Sequence, residues 1–478
     1  MELDMVAVAR RVLVENGFEP EAPPGIEHTI PRDPHEDAED LTHLPWSSID
    51  NEESRDLDQV EAAESLDDGA IRIFLGIADV DVFVPKGSPV DRFAHANTTS
   101  LYTGVRVFPM LPEELSTERT SLLEGGERFA VITEMVVRRD GSLDDRASRV
   151  YPGRIRNHAK LVYEHVGAWL EGDDRARPRD ERIAEQLKLQ DEAAQRLRRR
   201  RCELGALELE TIEARPIARD GRIVDLAVVH KNRARELVED LMIAANGVTA
   251  RFLEQRGSSS IRRVVRAPKR WPRIVELARS LHHELPEAPN AVALSDFLSA
   301  RRKADPEHFA DLSLSIVKLL GPGEYALQRA TDPDQGHFGL AVDDYTHSTA
   351  PNRRYPDLVT QRLLKAVAGK RPAAYSDDEL LAIAAHCTER ENAARKVERT
   401  IRKIAAAVLL TPRIGDTFDA IVTGVAPKGT FARLLRPPAE GRIVHGEHGL
   451  DVGDAIRVRL VDTEPMRGFI DFVALGRR

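Results

Sequence analysis

Pro412 separates two rhythms that no single structural element can hold together. Beyond it, residues 413–478 alternate apolar and polar positions in short runs broken by Gly424, Gly429, Gly446, Gly449 and Gly453. A period of two belongs to half-buried strands, and turns at this spacing predict a small five-stranded barrel of the OB kind. Ahead of Pro412 helical spacing dominates from about Leu161 to Arg201, from Lys231 to Arg256, from Val292 to Leu320, and over Tyr355–Ala368 and Asp377–Leu410. Two β-branched stretches interrupt it. Ile71 to Val84 reads as paired strands, and Val131 to Val137 as a further strand with a turn at Asp140-Gly141. The expected class is α+β, with an all-β barrel at the C-terminal end.

Residues 5–16 place Met5, Val8, Ala9, Val12 and Leu13 on one helical face, with Gly17 as its C-terminal cap and a linker at Pro20, Pro23 and Pro24. This helix reads as a docking element, or as a small nucleic-acid-binding one. The expected division is 1–30 for the helical element and linker, 31–411 for a central domain, and 412–478 for the barrel. A chain of 478 residues, 42% hydrophobic and 31% charged, can bury several cores. Cys202 and Cys387 stand far apart, which predicts neither a disulfide framework nor a structural zinc site. With no signal-like N-terminus and no run of about 18 apolar residues, a cytoplasmic protein free of the membrane is expected. The net charge of −10 argues against a general nucleic-acid coat protein but leaves room for an enzyme with a basic channel.

From Pro31 to Asp68 the chain is strongly acidic, and most of these charges are expected in solvent. Within this tract lies Asp50-Asn51-Glu52-Glu53-Ser54-Arg55-Asp56-Leu57-Asp58-Gln59: an aspartate, five residues, an aspartate, one residue, an aspartate. Hard divalent cations take carboxylate oxygens, and two of them can activate water and stabilise the leaving oxygen of a phosphodiester. An acidic loop can equally be a solvated surface. A second segment runs Tyr345-Thr346-His347-Ser348-Thr349-Ala350-Pro351-Asn352-Arg353-Arg354-Tyr355-Pro356-Asp357-Leu358 and opens a helix. A guanidinium fixed at such a turn can bind a phosphate bidentately; an Arg-Arg pair there can also be a structural salt bridge.

Together these segments resemble the catalytic domain of the RNase II (RNB) family, whose acidic loop ends Asp-x-Asp-Asp and whose second motif resembles Tyr-Thr-His-Phe-Thr-Ser-Pro-Ile-Arg-Arg-Tyr-Pro-Asp-Leu. Further matches occur in family order at Gly76–Val80, Pro109–Ser116, Glu236–Asn246 and His337–Ala341, covering roughly residues 40–410. The terminal barrel resembles the family's closing RNA-binding domain.

The resemblance implies a hydrolytic, processive 3′→5′ exoribonuclease that threads single-stranded RNA to a buried site and releases 5′-mononucleotides. It makes Asp50, Asp56 and Asp58 metal ligands for Mg²⁺, with Mn²⁺ as an alternative. Asp58 becomes the carboxylate most critical to catalysis, and Arg353 the stabiliser of charge on the scissile phosphate. Tyr102 falls at a base-stacking position, where any base offers a π face. Tyr163 and an acid of the Glu239-Asp240 pair fall where ribose 2′-hydroxyls are read, and Glu398 at a further substrate-proximal position. Each has an architectural alternative: Tyr102 and Tyr163 as core tyrosines, Glu398 in a helix salt bridge. Arg354 and Asp357 read as architectural. The run Arg196, Arg198, Arg199, Arg200, Arg201 reads as a solvated helix face, or as a guide for RNA.

The chain departs from the family pattern in three places. Gln59 stands where the family carries a fourth aspartate, so metal binding is expected to be weaker or altered in preference. Leu209 takes the place of an aromatic at the outer end of the base stack. Only Met1 to Ile49 precede the acidic loop, too short for the family's pair of cold-shock barrels, so the entrance is expected to admit RNA with some duplex character. The competing readings are an RNA-binding protein without strong catalysis, and a nuclease acting on DNA. Nothing in the sequence requires more than a monomer.

Overall fold

This computed structural model describes residues 3–32, 34, 36–210, 214–219, 222–228, 231–306 and 308–477. In chain order the elements begin with helix α1 (Met5–Glu15), strands β1 (Glu39–Asp40), β2 (Ser47–Asp50), β3 (Gln59–Ser65) and β4 (Ile71–Ala78), and helix α2 (Pro89–Asn97). A hairpin of β5 (Leu101–Tyr102) and β6 (Val107–Phe108) precedes β7 (Glu127–Val137), β8 (Arg149–Arg156) and β9 (Ala159–Val162). Helices α3 (Tyr163–Leu170) and α4 (Glu181–Glu203) lead to the hairpin β10 (Ala214–Arg219) and β11 (Arg222–Val228). Then come α5 (Arg233–Glu254), β12 (Ser260–Val264), α6 (Trp271–Ser280), α7 (Ala291–Ala304), α8 (Phe309–Leu320) and β13 (Glu324–Gln328). Helices α9 (Tyr355–Ala368) and α10 (Asp377–Leu410) precede β14 (Thr417–Ala426), β15 (Gly429–Leu434), β16 (Glu440–His445), β17 (Ala455–Glu464) and β18 (Phe469–Arg477).

Seven strands form one sheet in the order β1-β8-β7-β4-β3-β2-β9, parallel at β1/β8 and β2/β9 and antiparallel elsewhere. Strand side chains alternate between faces, so the sheet carries two cores. On one face Trp46, Val60, Ala62 and Ile132 pack with Leu358, Leu363, Leu380 and Ile383 of α9 and α10. On the other, Ile49, Ile73, Leu75 and Ile77 pack with Val166, Leu187, Ala194, Leu237 and Leu241 of α3, α4 and α5. The last five strands close a barrel in the order β14-β15-β16-β18-β17, as the glycine-marked rhythm predicts. Ala406, Ala407 and Leu410 at the end of α10 join its core. Among the described residues no helix is long and apolar enough to cross a membrane.

The N-terminal helix buries the five residues its periodicity assigns, against Leu101 and Phe108 of the β5/β6 hairpin and Val397, Ile401 and Ile404 of α10. Gly17 closes it at φ +77°, a left-handed conformation that glycine adopts without strain. It thus docks behind the hairpin that carries Tyr102.

Most of the described charges in the acidic tract are exposed, as expected; Asp58, just before β3, and Glu61 on it are the buried ones. Three expectations need correction. Ile71–Val84 is one strand ending at Ala78; Asp79 and Asp81 then turn toward Lys365 of α9, at 2.9 and 3.4 Å. The helical patterns over 161–201 and 292–320 each break in two, the first around Gly172 and Pro178 and the second at Asp305-Pro306, where proline cannot continue a helix. The arginine run on α4 is largely paired: Arg196 with Glu192, Arg198 with Glu208 and Glu236, Arg200 with Glu203, and Arg201 with Asp240.

Candidate active site

The acidic loop leaves the sheet at the end of β2 and re-enters it at β3. Backbone bonds hold both ends: the Asp58 carbonyl accepts from Ala78 N (2.9 Å), and the Leu57 carbonyl from Leu122 N (3.0 Å). Ser121 Oγ accepts from Leu57 N (2.9 Å) and donates to the Arg55 carbonyl (2.6 Å). Lys160 Nζ donates to the carbonyls of Glu52 (2.8 Å) and Ser54 (2.6 Å). The loop is thereby rigid before any ligand arrives.

Asp50 ends β2, and its Oδ1 accepts from Asn51 N (2.7 Å) and Ser54 Oγ (2.8 Å). Burial raises its pKa, against those two hydrogen bonds. Asp58, 2% exposed, is held from the second motif: Oδ1 accepts from Asn352 N (3.0 Å) and Oδ2 from Arg353 Nε (3.1 Å). Burial still pushes its pKa up to about 7, outweighing the arginine, and the charge of Asp56 adds to the rise. Asp56 Oδ2 accepts from the Tyr102 hydroxyl (2.8 Å). Thr120 Oγ1 bonds the Asn352 side chain, directly after a π-helical turn at Leu115–Arg119.

The second motif is fixed with equal care. Its Asp357 Oδ1 accepts from Ala350 N (2.8 Å) and Arg354 (2.7 Å), so Arg354 and Asp357 are architectural contacts. The Arg353 carbonyl accepts from Ser100 N (3.0 Å), which ties this turn to the β5/β6 hairpin. His347 is partly buried, its pKa is lowered well below the usual range by desolvation, and its Nδ1 bonds the Tyr325 hydroxyl at 2.9 Å.

Around this centre, Tyr102 is 44% exposed, and its backbone N donates to Glu398 Oε1 (3.1 Å). Glu398 thus reaches across to position the tyrosine. Tyr163 opens α3 directly after Val162, which pairs with Asp50 in the parallel register of β2 and β9. The Arg235 guanidinium lies over its ring at 4.3 Å. A cavity of about 700 Å³ opens beside Asp56 and Tyr102 and is also bordered by Arg55, Arg106 and Leu111, a volume that suits a nucleotide-sized ligand.

Other candidates make their contacts elsewhere. Glu239 pairs with Lys231 at 2.6 Å, while Asp240 turns inward to Arg201; burial raises the Asp240 pKa to about 6. Leu209 packs with Leu207 against the small core of α6, α7 and α8. Gln59 is buried on β3. Sequence reasoning did not single out Asn352, Thr120, Ser121 or Lys160. Asn352 had a signal, its place beside Arg353 in the motif; Ser121 and Lys160 act through backbone contacts and Thr120 through the Asn352 side chain, none of which leaves a pattern.

The donor set fits a hard divalent cation. Asp50, Asp56 and Asp58 are oxygen donors; burial raises the pKa of Asp50 and Asp58, the charge of Asp56 adds to each rise, and a bound cation relieves both costs. Their oxygens do not all approach within 4.8 Å. Among the described residues the acids that do are Glu254, Asp334 and Asp344, a group that could hold a metal but already faces Arg262, whose Nη2 is 3.0 Å from Glu254.

Comparison with known proteins places this geometry. The RNB domain matches residues 38–370, and the RNase II-type exonuclease C-terminal S1 domain matches residues 416–475. Ribonuclease R 1 of Lactococcus lactis is 28% identical over 457 residues, 89% of this chain and 55% of that protein. Ribonuclease R of Escherichia coli is 30% identical over 432 residues, 86% of this chain and 51% of that protein. The chain therefore spans about half the length of these curated relatives. RNase R of Mycoplasma genitalium, solved in complex with ribose methylated single-stranded RNA, shares the fold at a TM-score of 0.89 and 22% identity, covering 99% of this chain and 78% of that one. With the RNB domain matched over most of its length and the S1 barrel behind it, the chain belongs to the RNB family of RNase II-type proteins.

Proposed function

We propose that this chain is a hydrolytic, processive 3′→5′ exoribonuclease that degrades single-stranded RNA to 5′-mononucleotides, acting as a cytoplasmic monomer. The observation that carries this reading is Asp58: a buried carboxylate held between Arg353 and Asn352 N, with Asp56 nearby and hydrogen-bonded to the half-exposed Tyr102. We divide the chain at 1–30, 31–411 and 412–478, with the central domain catalytic and the barrel meeting incoming RNA.

Asp50, Asp56 and Asp58 would hold Mg²⁺, with Mn²⁺ as the alternative and Gln59 offering an amide oxygen. Bound there, the ion supplies an activated water and neutralises charge at the scissile phosphate. Arg353 presents its guanidinium to that phosphate from a turn locked by Asp357 and Ser100, an orientation set before substrate binds. Tyr102 stacks on the base at the 3′ end, with Glu398 fixing its backbone. Tyr163 stands beside Asp50, where a ribose 2′-hydroxyl would distinguish RNA from DNA. For Glu239, Asp240 and Leu209 the contacts described above support structural roles better than substrate contact.

A denaturing-gel time course on 5′-labelled RNA, a DNA of the same sequence and an RNA hairpin with a short 3′ overhang tests this. Stepwise shortening of RNA with Mg²⁺, sparing DNA, is expected. Digestion running into the stem would bear on duplex entry. Intact RNA with both Mg²⁺ and Mn²⁺ overturns the reading and favours the RNA-binding protein suggested by Gln59.

Tyr102→Ala is expected to raise KM for RNA by roughly 5–150-fold, the loss of one stacked base at about 1–3 kcal/mol. Tyr102→Phe keeps the ring and drops only the bond to Asp56, so its KM should stay near wild type. Equal KM for all three proteins would remove Tyr102 from the substrate path.

A further inference from the structure

We infer that Glu61 supplies, one pleat further along β3, the carboxylate that Gln59 lacks, completing the acidic ligand set for the divalent cation. This rests on the metal-dependent reading above.

Three observations carry it. Alternation places Gln59, Glu61 and Ala63 on one face of β3, paired across the ladder with Ile77, Leu75 and Ile73. That face is otherwise the apolar core built by Ile49, Ala63, Ile73, Leu75 and Ile77. A carboxylate in such a setting is costly unless it is paired or holds a metal. Secondly, Glu61 is 0% exposed, and neither of its oxygens has a hydrogen-bond partner among the described residues. Buried polar atoms are normally satisfied, so two open oxygens on one side chain call for a ligand. Thirdly, its surroundings lie on the acidic-loop side. Ser47 of β2 stands opposite it in register, three residues before Asp50, and the Asp50 charge is the neighbouring group that acts on it. Its own charge acts in turn on Tyr163. Glu61 therefore lies close enough to feel the charge of Asp50 and to act on Tyr163, on the face that Gln59 shares. Moving a residue by two positions along a strand keeps its face, so a chain that has lost an acid at 59 can restore it at 61 without turning the side chain to the opposite core.

The test is Mn²⁺ binding to the full chain without RNA, read by electron paramagnetic resonance of the free ion, with circular dichroism as the folding control. Glu61→Gln preserves size and is expected to weaken binding by roughly 10–100-fold. Adding Gln59→Asp to that variant should recover most of the affinity. Unchanged binding by folded Glu61→Gln overturns the proposal and leaves the metal-dependent reading intact. Absence of Mn²⁺ binding by the wild-type chain sinks both. Should Glu61→Gln fail to fold, Gln59→Asp alone decides. A gain below about threefold fits a ligand set that Glu61 already completes, and a gain of tenfold or more shows that position 59 still lacks its charge.

Discussion

Asp58→Asn is expected to reduce turnover on single-stranded RNA by about 10²–10³-fold or more, with the fold intact. The amide keeps Oδ1 as an acceptor for Asn352 N but turns a donor toward Arg353 Nε, where Oδ2 accepts at 3.1 Å. It also removes one of the charges proposed to hold the cation. The structural effect is opposite in sign to the catalytic one. Burial raises the Asp58 pKa to about 7, so the ionised form destabilises the metal-free fold, and Asn relieves that cost. Single-turnover digestion paired with a thermal melt in chelator checks both halves. Residual activity within tenfold of wild type would show that another group carries the chemistry.

Lys365→Met is expected to destabilise the chain by about 3–5 kcal/mol, the scale for removing one partner from a buried ionic cluster. Lys365 is 3% exposed, and its Nζ lies 2.9 Å from Glu36 and Asp79 and 3.4 Å from Asp81. Without it three carboxylates converge with their shared cation gone. Burial already raises the Asp79 pKa to about 6 despite the ammonium beside it. Adding Asp79→Asn should recover part of the loss. Urea unfolding followed by circular dichroism measures each variant; a change below about 1 kcal/mol, the ordinary scale of a surface substitution, would mean that the cluster contributes little. Because this cluster joins the turn after β4 to α9, which Arg353 precedes, kcat should fall with stability.

The barrel and α1 were legible because each buries one periodic face, and the period survives in the residue order. The two site segments were legible as strings, and the fold brings Asp58 and Arg353 to 3.1 Å of each other. What the sequence concealed depends on tertiary pairing. Glu61 is buried while Glu64, three residues on, is exposed, and charge alone does not reveal which carboxylate a core accepts. The arginines of α4 read as a free face because Glu208, Glu236 and Asp240, their partners, come from later segments. Asp79 looked like part of a strand because its reason for turning away, Lys365, lies far along the chain. Asn352 acts through its backbone N–H, which every non-proline residue has, and so leaves no mark in composition.

Helix α10 runs unbroken for 34 residues, about 51 Å at the usual rise per residue. Glu398, partway along, holds the backbone of Tyr102, and Ala406, Ala407 and Leu410 at its end are built into the barrel. A rod of constant pitch therefore fixes the separation between Tyr102 and the barrel, and on the function proposed above it would fix how far the base at the 3′ end lies from the surface that meets the rest of the strand. On that reading, an RNA long enough to touch both would be gripped at two points and a shorter piece at one. The helix would then act as a ruler, with the length at which digestion changes from persistent to hesitant set by the turns between Glu398 and Leu410.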